Sequence, residues 1–511
     1  MESTIMHKQL GVIRVIVLSY LFVLLPLSVI AQEIVPTQGC RRGTPKPHST
    51  EAIHRSTAQV RQPGGDFYKG DRHQLTVLVS FSDRTFKDDE AATIEQWNNI
   101  FNTVGYTEDS FHGSVHDYFY DQSYGQFNVT FDLQYVALSS GHAKYGSTSA
   151  DDENSQFLVQ DIMDVLQQRP IDWSLYDWNG DGYVNQLLII YAGKGSSYGN
   201  FGGGNNAIWP HQWWLSEHID PTTGAYCTPR TVTNGDGKKY SVDCYCALQE
   251  LSSNNSYGTF GTICHEYSHC FGFPDFYVGG TSYVRYWDLM DYGNYSSGGF
   301  CPTAYSAHER WLMGWLTPTE LTEAATIADM PALSEEGTAY LIRNDGYADE
   351  YYVIENRQNT GWDTSLPSSG IVVFHIDYDP SIWVSVETAP NWGSRKRYTI
   401  IPANDNSSTT TSSNWPYPYA TNNQLTNTSA PAATLNNRNI DGSFLMSKPL
   451  TNMNVTNGLA SFDFMGGTSS ISAIHTADHP QHGTHTYNLA GQRVNETYRG
   501  LVIINGRKVL R

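Results

Sequence analysis

The chemistry-bearing residues of this chain concentrate in Cys264-His265-Glu266-Tyr267-Ser268-His269-Cys270-Phe271-Gly272-Phe273-Pro274-Asp275. On a helix, His265 and His269 stand one turn apart on one face, so both imidazoles can reach one metal ion. Glu266 lies beside them, within reach of a water at that ion. Gly272 tolerates positive φ and lets the backbone turn, and Pro274 discourages a return to helix. The turned chain can bring Asp275 back as a third ligand. Two histidines and a carboxylate leave zinc a fourth position for water, the donor set of a zinc hydrolase and most often a peptidase.

Other residues extend or compete with that set. Trp287-Asp288-Leu289-Met290-Asp291-Tyr292 places a methionine in a turn suited to lie beneath a metal. A helix expected over Thr303 to Leu316 carries Glu309, the rival third ligand, since some zinc hydrolases draw a Glu from a later helix. Asp275 is preferred because Gly272 and Pro274 shape the nearer approach. Asp177, Asn179, Asp181, Tyr183 (through its carbonyl) and Asn185 follow the first part of a calcium loop, with Gly182 at the sixth position. Leu188 stands where such a loop ends in Glu, so an ordinary Asp/Asn/Gly turn is the competing reading. His211, among tryptophans, reads as a packed loop histidine ahead of a ligand. His375 and Asp377 share one face of a strand and read as an internal hydrogen-bonded pair ahead of a second site.

The elements that position these residues follow from periodicity. Leu75 to Phe81 and Gln186 to Ala192 are apolar runs expected as buried strands, and Asn128 to Leu138 alternates as a strand or hairpin. Residues 91–103, 113–121 and 154–168 read as helices, the last ended by Pro170. The motif helix is expected from about Thr259. The fold class is therefore α+β, with a mixed sheet carrying an active-site helix over 73–318. Residues 319–467 switch to short strands between Ser/Thr/Asn/Pro loops, an all-β accessory domain expected to be sandwich-like. Residues 468–511 read as a linker and a short C-terminal segment, ending in a hairpin with an Asn-Gly turn.

Composition bounds the partners. Among 511 residues, 51 acids face 31 bases, a formal charge of −20, which disfavours nucleic acid or an anionic membrane as partner. Residues 1–31 read as a cleaved secretory signal, with an uncleaved anchor as the alternative. No later run is apolar enough to span a membrane. Residues 32–72 read as a propeptide or extension. Its Cys40 is either a thiolate that silences a zymogen by taking the open zinc position or a spare thiol. The other six cysteines lie between Cys227 and Cys301. In an oxidising compartment, Cys264 and Cys270 are each expected to pair with Cys227, Cys244, Cys246 or Cys301.

The motif stretch, the Trp-Asp-Leu-Met turn and the Asp/Asn loop together resemble the immune inhibitor A family of secreted bacterial zinc metallopeptidases. Glu350-Tyr351-Tyr352-Val353-Ile354-Glu355-Asn356-Arg357-Gln358 and Gly370-Ile371-Val372-Val373-Phe374-His375-Ile376-Asp377 look like that family's segments too. The resemblance covers roughly residues 73 to 467. It implies a metzincin-like catalytic domain with Asp275 as third ligand and Glu266 as general base. A Tyr two residues after the methionine stabilises the oxyanion in some metzincins, which makes Tyr292 a candidate for that role beside a plain packing role. The C-terminal segment is similar to tails of exported Bacteroidetes proteins, implying surface delivery. The expected enzyme is a secreted or cell-surface zinc endopeptidase acting on extracellular proteins or peptides, with Ca2+ as a further ion. The rival classes are a zinc hydrolase of a non-peptide bond and a glycan- or protein-binding adhesin with a vestigial site.

Overall fold

The computed structural model describes residues 66–146, 154–198, 206–383 and 389–467, with short strands at Ser470–Ser472, Thr486–Asn488, Leu501–Ile504 and Arg507–Leu510. The signal segment, Cys40, most of the Gly-rich run from Asn200 and the Asn505-Gly506 turn lie outside the described residues.

Five strands form the sheet that carries the motif helix: β1 (Gly70–Ser80), β2 (Phe127–Ala137), β3 (Leu187–Lys194), β4 (His211–Trp214) and β5 (Cys244–Leu251). Their order is β2-β1-β3-β5-β4, parallel throughout except for β4, which runs antiparallel to β5. Strands covered on both faces read as unbroken apolar runs. Accordingly Leu187 to Ala192 are all buried, as are the last seven residues of β1. Helices α1 (Glu90–Asn102), α2 (Val115–Gln122) and α3 (Ser155–Leu166) match the predicted periodic segments. Asp89 and Ser114 cap the first two by accepting from backbone N–H groups, which satisfies donors the helix leaves open.

The motif helix α4 (Phe260–Cys270) is buried on every side. Its polar groups therefore need internal partners. Ser268 donates to the Cys264 carbonyl at 2.6 Å, and Tyr267 donates to Gln74 at 2.9 Å. The helix comes very close to the 293–299 turn at Gly261, where a Cβ would meet the Asn294 carbonyl at 1.9 Å.

The expected helix over Thr303 to Leu316 is shorter, α5 (Ala307–Leu312). Ser306 accepts from Glu309 N–H while the Glu309 carboxylate accepts from Ser306 N–H, a capping box that sets the start. Gly314, at φ +70°, closes the far end.

Among the described residues beyond 318, Thr486–Asn488, Leu501–Ile504 and Arg507–Leu510 form a small antiparallel sheet, and two larger sheets precede it. One contains β6 (Thr319–Glu320), β7 (Ala339–Asn344), β8 (Tyr347–Arg357), β9 (Gly370–Asp377) and β10 (Tyr398–Ile400), in the order β10-β9-β8-β7-β6. The other joins Leu450–Thr456, Leu459–Phe464, Ala325–Met330 and Ser470–Ser472. The residues of β8 and β9 alternate between two cores. Ile354, Ile371 and Val373 join Phe462 and Leu450 in one, whereas Val353, Val372 and Phe374 join Leu289, Met290 and Phe276 in the other. That second core runs without a break from β1 to Trp415. Among the described residues, no helix is long and apolar enough to cross a membrane.

Candidate active site

Helix α4 brings the two imidazoles together, and the turn after it supplies the carboxylate. At Gly272 the backbone takes φ +97°, a conformation a Cβ would strain. Gly272 N–H closes onto the His269 carbonyl at 3.0 Å, and Phe276 N–H then pairs with the Met290 carbonyl at 2.9 Å. Asp275 is thereby returned to the helix, with Oδ1 3.1 Å from His265 Nε2 and 3.3 Å from His269 Nε2. A nitrogen of each imidazole and an oxygen of Glu266 lie within 4.8 Å of one another, all three residues buried.

The tautomers follow from the other ring nitrogens. His265 Nδ1 donates to the Leu289 carbonyl at 2.9 Å, and His269 Nδ1 donates to the Phe273 carbonyl at 2.7 Å. Each neutral ring then presents a lone pair at Nε2, aimed at an acceptor-only carboxylate. Three acceptors converge without a donor, and the buried His269 Nε2 makes no hydrogen bond. Such a cluster needs positive charge at its centre. Burial opposes protonation of His265, yet Asp275, Glu266 and the Leu289 carbonyl outweigh it and raise its pKa to about 9. Burial likewise pushes the Asp275 carboxyl up, and His269 and His265 reverse this and hold it well below the ordinary carboxylate range. A metal cation meets the same demand. Ligands at 2.0–2.1 Å in a tetrahedron stand about 3.3–3.4 Å apart, close to the separations here, so the residues fit a tetrahedral ion of the zinc type.

The other sequence candidates are dispersed. Glu309 is buried in the α5 capping box and does not join the imidazoles. Tyr292 donates to the Gly280 carbonyl at 2.6 Å, and its ring lies 6.0 Å from that of Tyr277. Tyr277 in turn stacks on His265 at 6.3 Å and 21°. Tyr277 carries no sequence signal beyond its place two residues after Asp275. His211 is buried on β4, with Nδ1 at the Trp209 carbonyl and Nε2 3.0 Å from the Tyr245 hydroxyl, a packed histidine. His375 pairs with Glu350 at 2.7 Å, not with Asp377, because register sets Tyr352 opposite His375 and leaves Glu350 opposite Asp377.

In the 177–185 loop, both Asp177 oxygens accept backbone N–H groups, from Asp181 and Gly182 at 3.0 Å each. Asp181 accepts from Tyr183 N–H at 2.8 Å, and Asn185 accepts from Trp178 N–H at 2.6 Å. Asp177, Asp181 and Asn185 thus accept from the loop's own backbone.

The cysteine expectation is corrected. Cys227, Cys244, Cys246, Cys264, Cys270 and Cys301 are all buried free thiols. The Cys244 thiol donates to the Cys270 sulfur at 4.0 Å, with no disulfide between them. Buried inside the core, these side chains pack as small apolar groups. Burial raises each thiol pKa and keeps it protonated.

Comparison with known proteins agrees with the geometry. Residues 68–316 match the family described as immune inhibitor A peptidase M6, catalytic domain. The chain is 27% identical over 275 residues to the pre-pro-metalloprotease PrtV of Vibrio cholerae serotype O1, covering 46% of this chain and 28% of that protein. It is 27% identical over 219 residues to immune inhibitor A of Bacillus thuringiensis subsp. alesti, covering 38% of this chain and 30% of that protein. The chain thus spans less than a third of the length of either relative.

Proposed function

We propose that this chain, which carries the catalytic domain of the immune inhibitor A peptidase family over residues 68–316, is a zinc-dependent endopeptidase cleaving extracellular proteins. The observation that carries this reading is the convergence of His265 Nε2 and His269 Nε2 on Asp275 Oδ1. Those three residues hold the ion. Zinc, when bound, supplies the Lewis acidity that makes water nucleophilic and polarises a carbonyl at neutral pH.

The chain's own residues do the rest. The Leu289 and Phe273 carbonyls orient the imidazoles and make them better ligands. Glu266 takes the proton of the attacking water and passes it to the leaving amine. Tyr292 stabilises the developing oxyanion after exchanging its Gly280 hydrogen bond for the substrate. No covalent bond forms between enzyme and substrate. The catalytic region is of metzincin type, with 319–467 as a β-rich, sandwich-like unit behind it. The 177–185 loop takes calcium through Asp177, Asn179, Asp181, the Tyr183 carbonyl and Asn185. Export by the N-terminal signal delivers the enzyme to its substrates, with a propeptide or N-terminal extension running from 32 to a boundary before Tyr68, since Tyr68 and β1 are built into the catalytic core.

The deciding experiment pairs metal content with turnover. Purified protein is expected to hold one zinc, and casein cleavage is expected to stop on chelation and return with zinc. Glu266→Gln should keep the zinc and lose at least about 10²–10⁴-fold in kcat. Undiminished proteolysis by that variant refutes the assignment.

A further inference from the structure

The family match stops at residue 316, yet the turn that orients His265 is held from outside it. Asp288 is the hub. Its Oδ1 accepts from Met290 N–H at 2.8 Å, which shapes the turn that presents the Leu289 carbonyl to His265. Its Oδ2 accepts from the Tyr398 hydroxyl at 2.6 Å, and the same hydroxyl lies 2.8 Å from Ser306 Oγ. Tyr398 belongs to β10 and is fully buried. Its ring stacks on Phe276, the neighbour of Asp275, with centroids 3.7 Å apart and planes at 11°. Asn391, well beyond the matched region, donates to the Phe276 carbonyl at 2.9 Å and to the Tyr398 carbonyl at 2.8 Å.

A second arm reaches the residue before Asp288. Arg357, at the end of β8, is completely buried between Asp363 (2.6 and 2.7 Å) and Glu355 (2.9 Å). It also donates to the Trp287 carbonyl at 3.2 Å and the Ala304 carbonyl at 3.3 Å. Glu355 accepts from Ala307 N–H at 2.7 Å, the first residue of α5. A guanidinium whose carboxylate partners are already in place has donors left over, and here they go to the backbone of the turn.

We propose that Tyr398 and Arg357 are positioning residues for the metal site: the sheet after residue 318 fixes the 287–290 turn and the 275–276 segment, and so sets the orientation of His265 and Asp275. The inference rests on the reading that His265, His269 and Asp275 hold the ion. It makes the downstream sheet part of the catalytic apparatus, because one core and one hydrogen-bonded frame span the boundary. Groups that orient metal ligands cost about 10–100-fold in metal affinity or activity when removed.

The test is Tyr398→Phe in the full chain, which keeps the ring stack and deletes only the hydroxyl. The control is Tyr352→Phe, whose buried hydroxyl donates to the Thr434 carbonyl in the other core. Zinc affinity is measured by competition with a chromophoric chelator, and melting is measured on the metal-free proteins. Tyr398→Phe should weaken zinc binding about tenfold or more and lower kcat with KM unchanged, while its metal-free melting falls no further than the control's. Equal zinc affinity in Tyr398→Phe, Tyr352→Phe and the parent overturns the inference. A loss of affinity in both variants alike also overturns it, since that is general destabilisation. A parent protein that binds no zinc instead removes the metal reading on which it rests. Arg357→Lys, retaining the charge but not the fork, should show the same affinity loss in smaller measure.

Discussion

The histidine–carboxylate cluster at His265 and the one at His375 are built on opposite principles. At His265, His269 and Asp275 both Nδ1 donors are spent on backbone carbonyls, and acceptors face acceptors at 3.1 and 3.3 Å. At Glu350, His375 and Asp377 donors outnumber the need. Glu350 accepts from His375 at 2.7 Å, Asn437 N–H at 2.9 Å, and the Asn344 and Asn437 amides at 3.1 Å each. Asp377 accepts from Arg395 at 2.5 Å and the Asn436 amide at 3.0 Å. The first cluster turns its acceptors on one another, the arrangement on which the proposed metal reading rests. The second is complete and pins the 436–437 loop to β8 and β9. Residue types alone do not separate them; the direction of the donors does.

The sharpest way to break this contrast is to truncate one member of each. His269→Ala should abolish zinc binding and reduce cleavage by more than about 10³-fold, read by metal analysis and protein digestion. Glu350→Ala should leave zinc stoichiometry unchanged but destabilise the fold by about 3 kcal/mol in denaturant, because buried donors lose their acceptor. Zinc loss in Glu350→Ala with the fold intact would erase the distinction.

Tyr292→Phe should lower kcat by tenfold or more, with zinc affinity unchanged. An unaltered kcat returns Tyr292 to packing.

Asp291 offers a pH probe beside the same turn. Its Oδ2 accepts from Tyr283 and Val284 N–H, Oδ1 makes no hydrogen bond, and burial raises its pKa to about 7. The folded protein thus keeps a proton the unfolded chain releases. Its contribution to stability is full below about pH 4 and is lost as pH rises through 7. Asp291→Asn should flatten the decline in melting temperature between pH 5 and 8 relative to the parent, measured in matched buffers.

The smallest effect is expected at the 177–185 loop, whose carboxylates are partly supplied with backbone donors. Removing calcium with a selective chelator should lower melting by a few degrees, about 1 kcal/mol. An unchanged melting curve assigns the loop to turn chemistry alone.

Much of the site was legible because its parts are local. The i, i+4 histidines, the Gly272 turn and the Pro274 break are each carried by neighbouring residues, and the helix and the buried strands follow from periodicity. Where competing local signals met, the sequence misled. The helix expected over Thr303 to Leu316 is cut at both ends: the Ser306–Glu309 capping box starts it late and occupies the rival ligand, and Gly314 stops it. The cysteines share one stretch of sequence, but the core keeps them as separate thiols. His375 and Asp377 share a face, but the cross-strand register gives His375 to Glu350.

By itself, then, the sequence determined which atoms could bind a metal and that a helix would present two of them together, since side chains one turn apart share a face whatever surrounds them. Only the tertiary structure decided that Asp275 meets both imidazoles, that Leu289 and Phe273 set their tautomers, and that Tyr398 and Arg357 grip the turn from more than 60 residues downstream. Those relations depend on how the two cores close around the turn, and chain-local propensities carry no record of contacts at such separations.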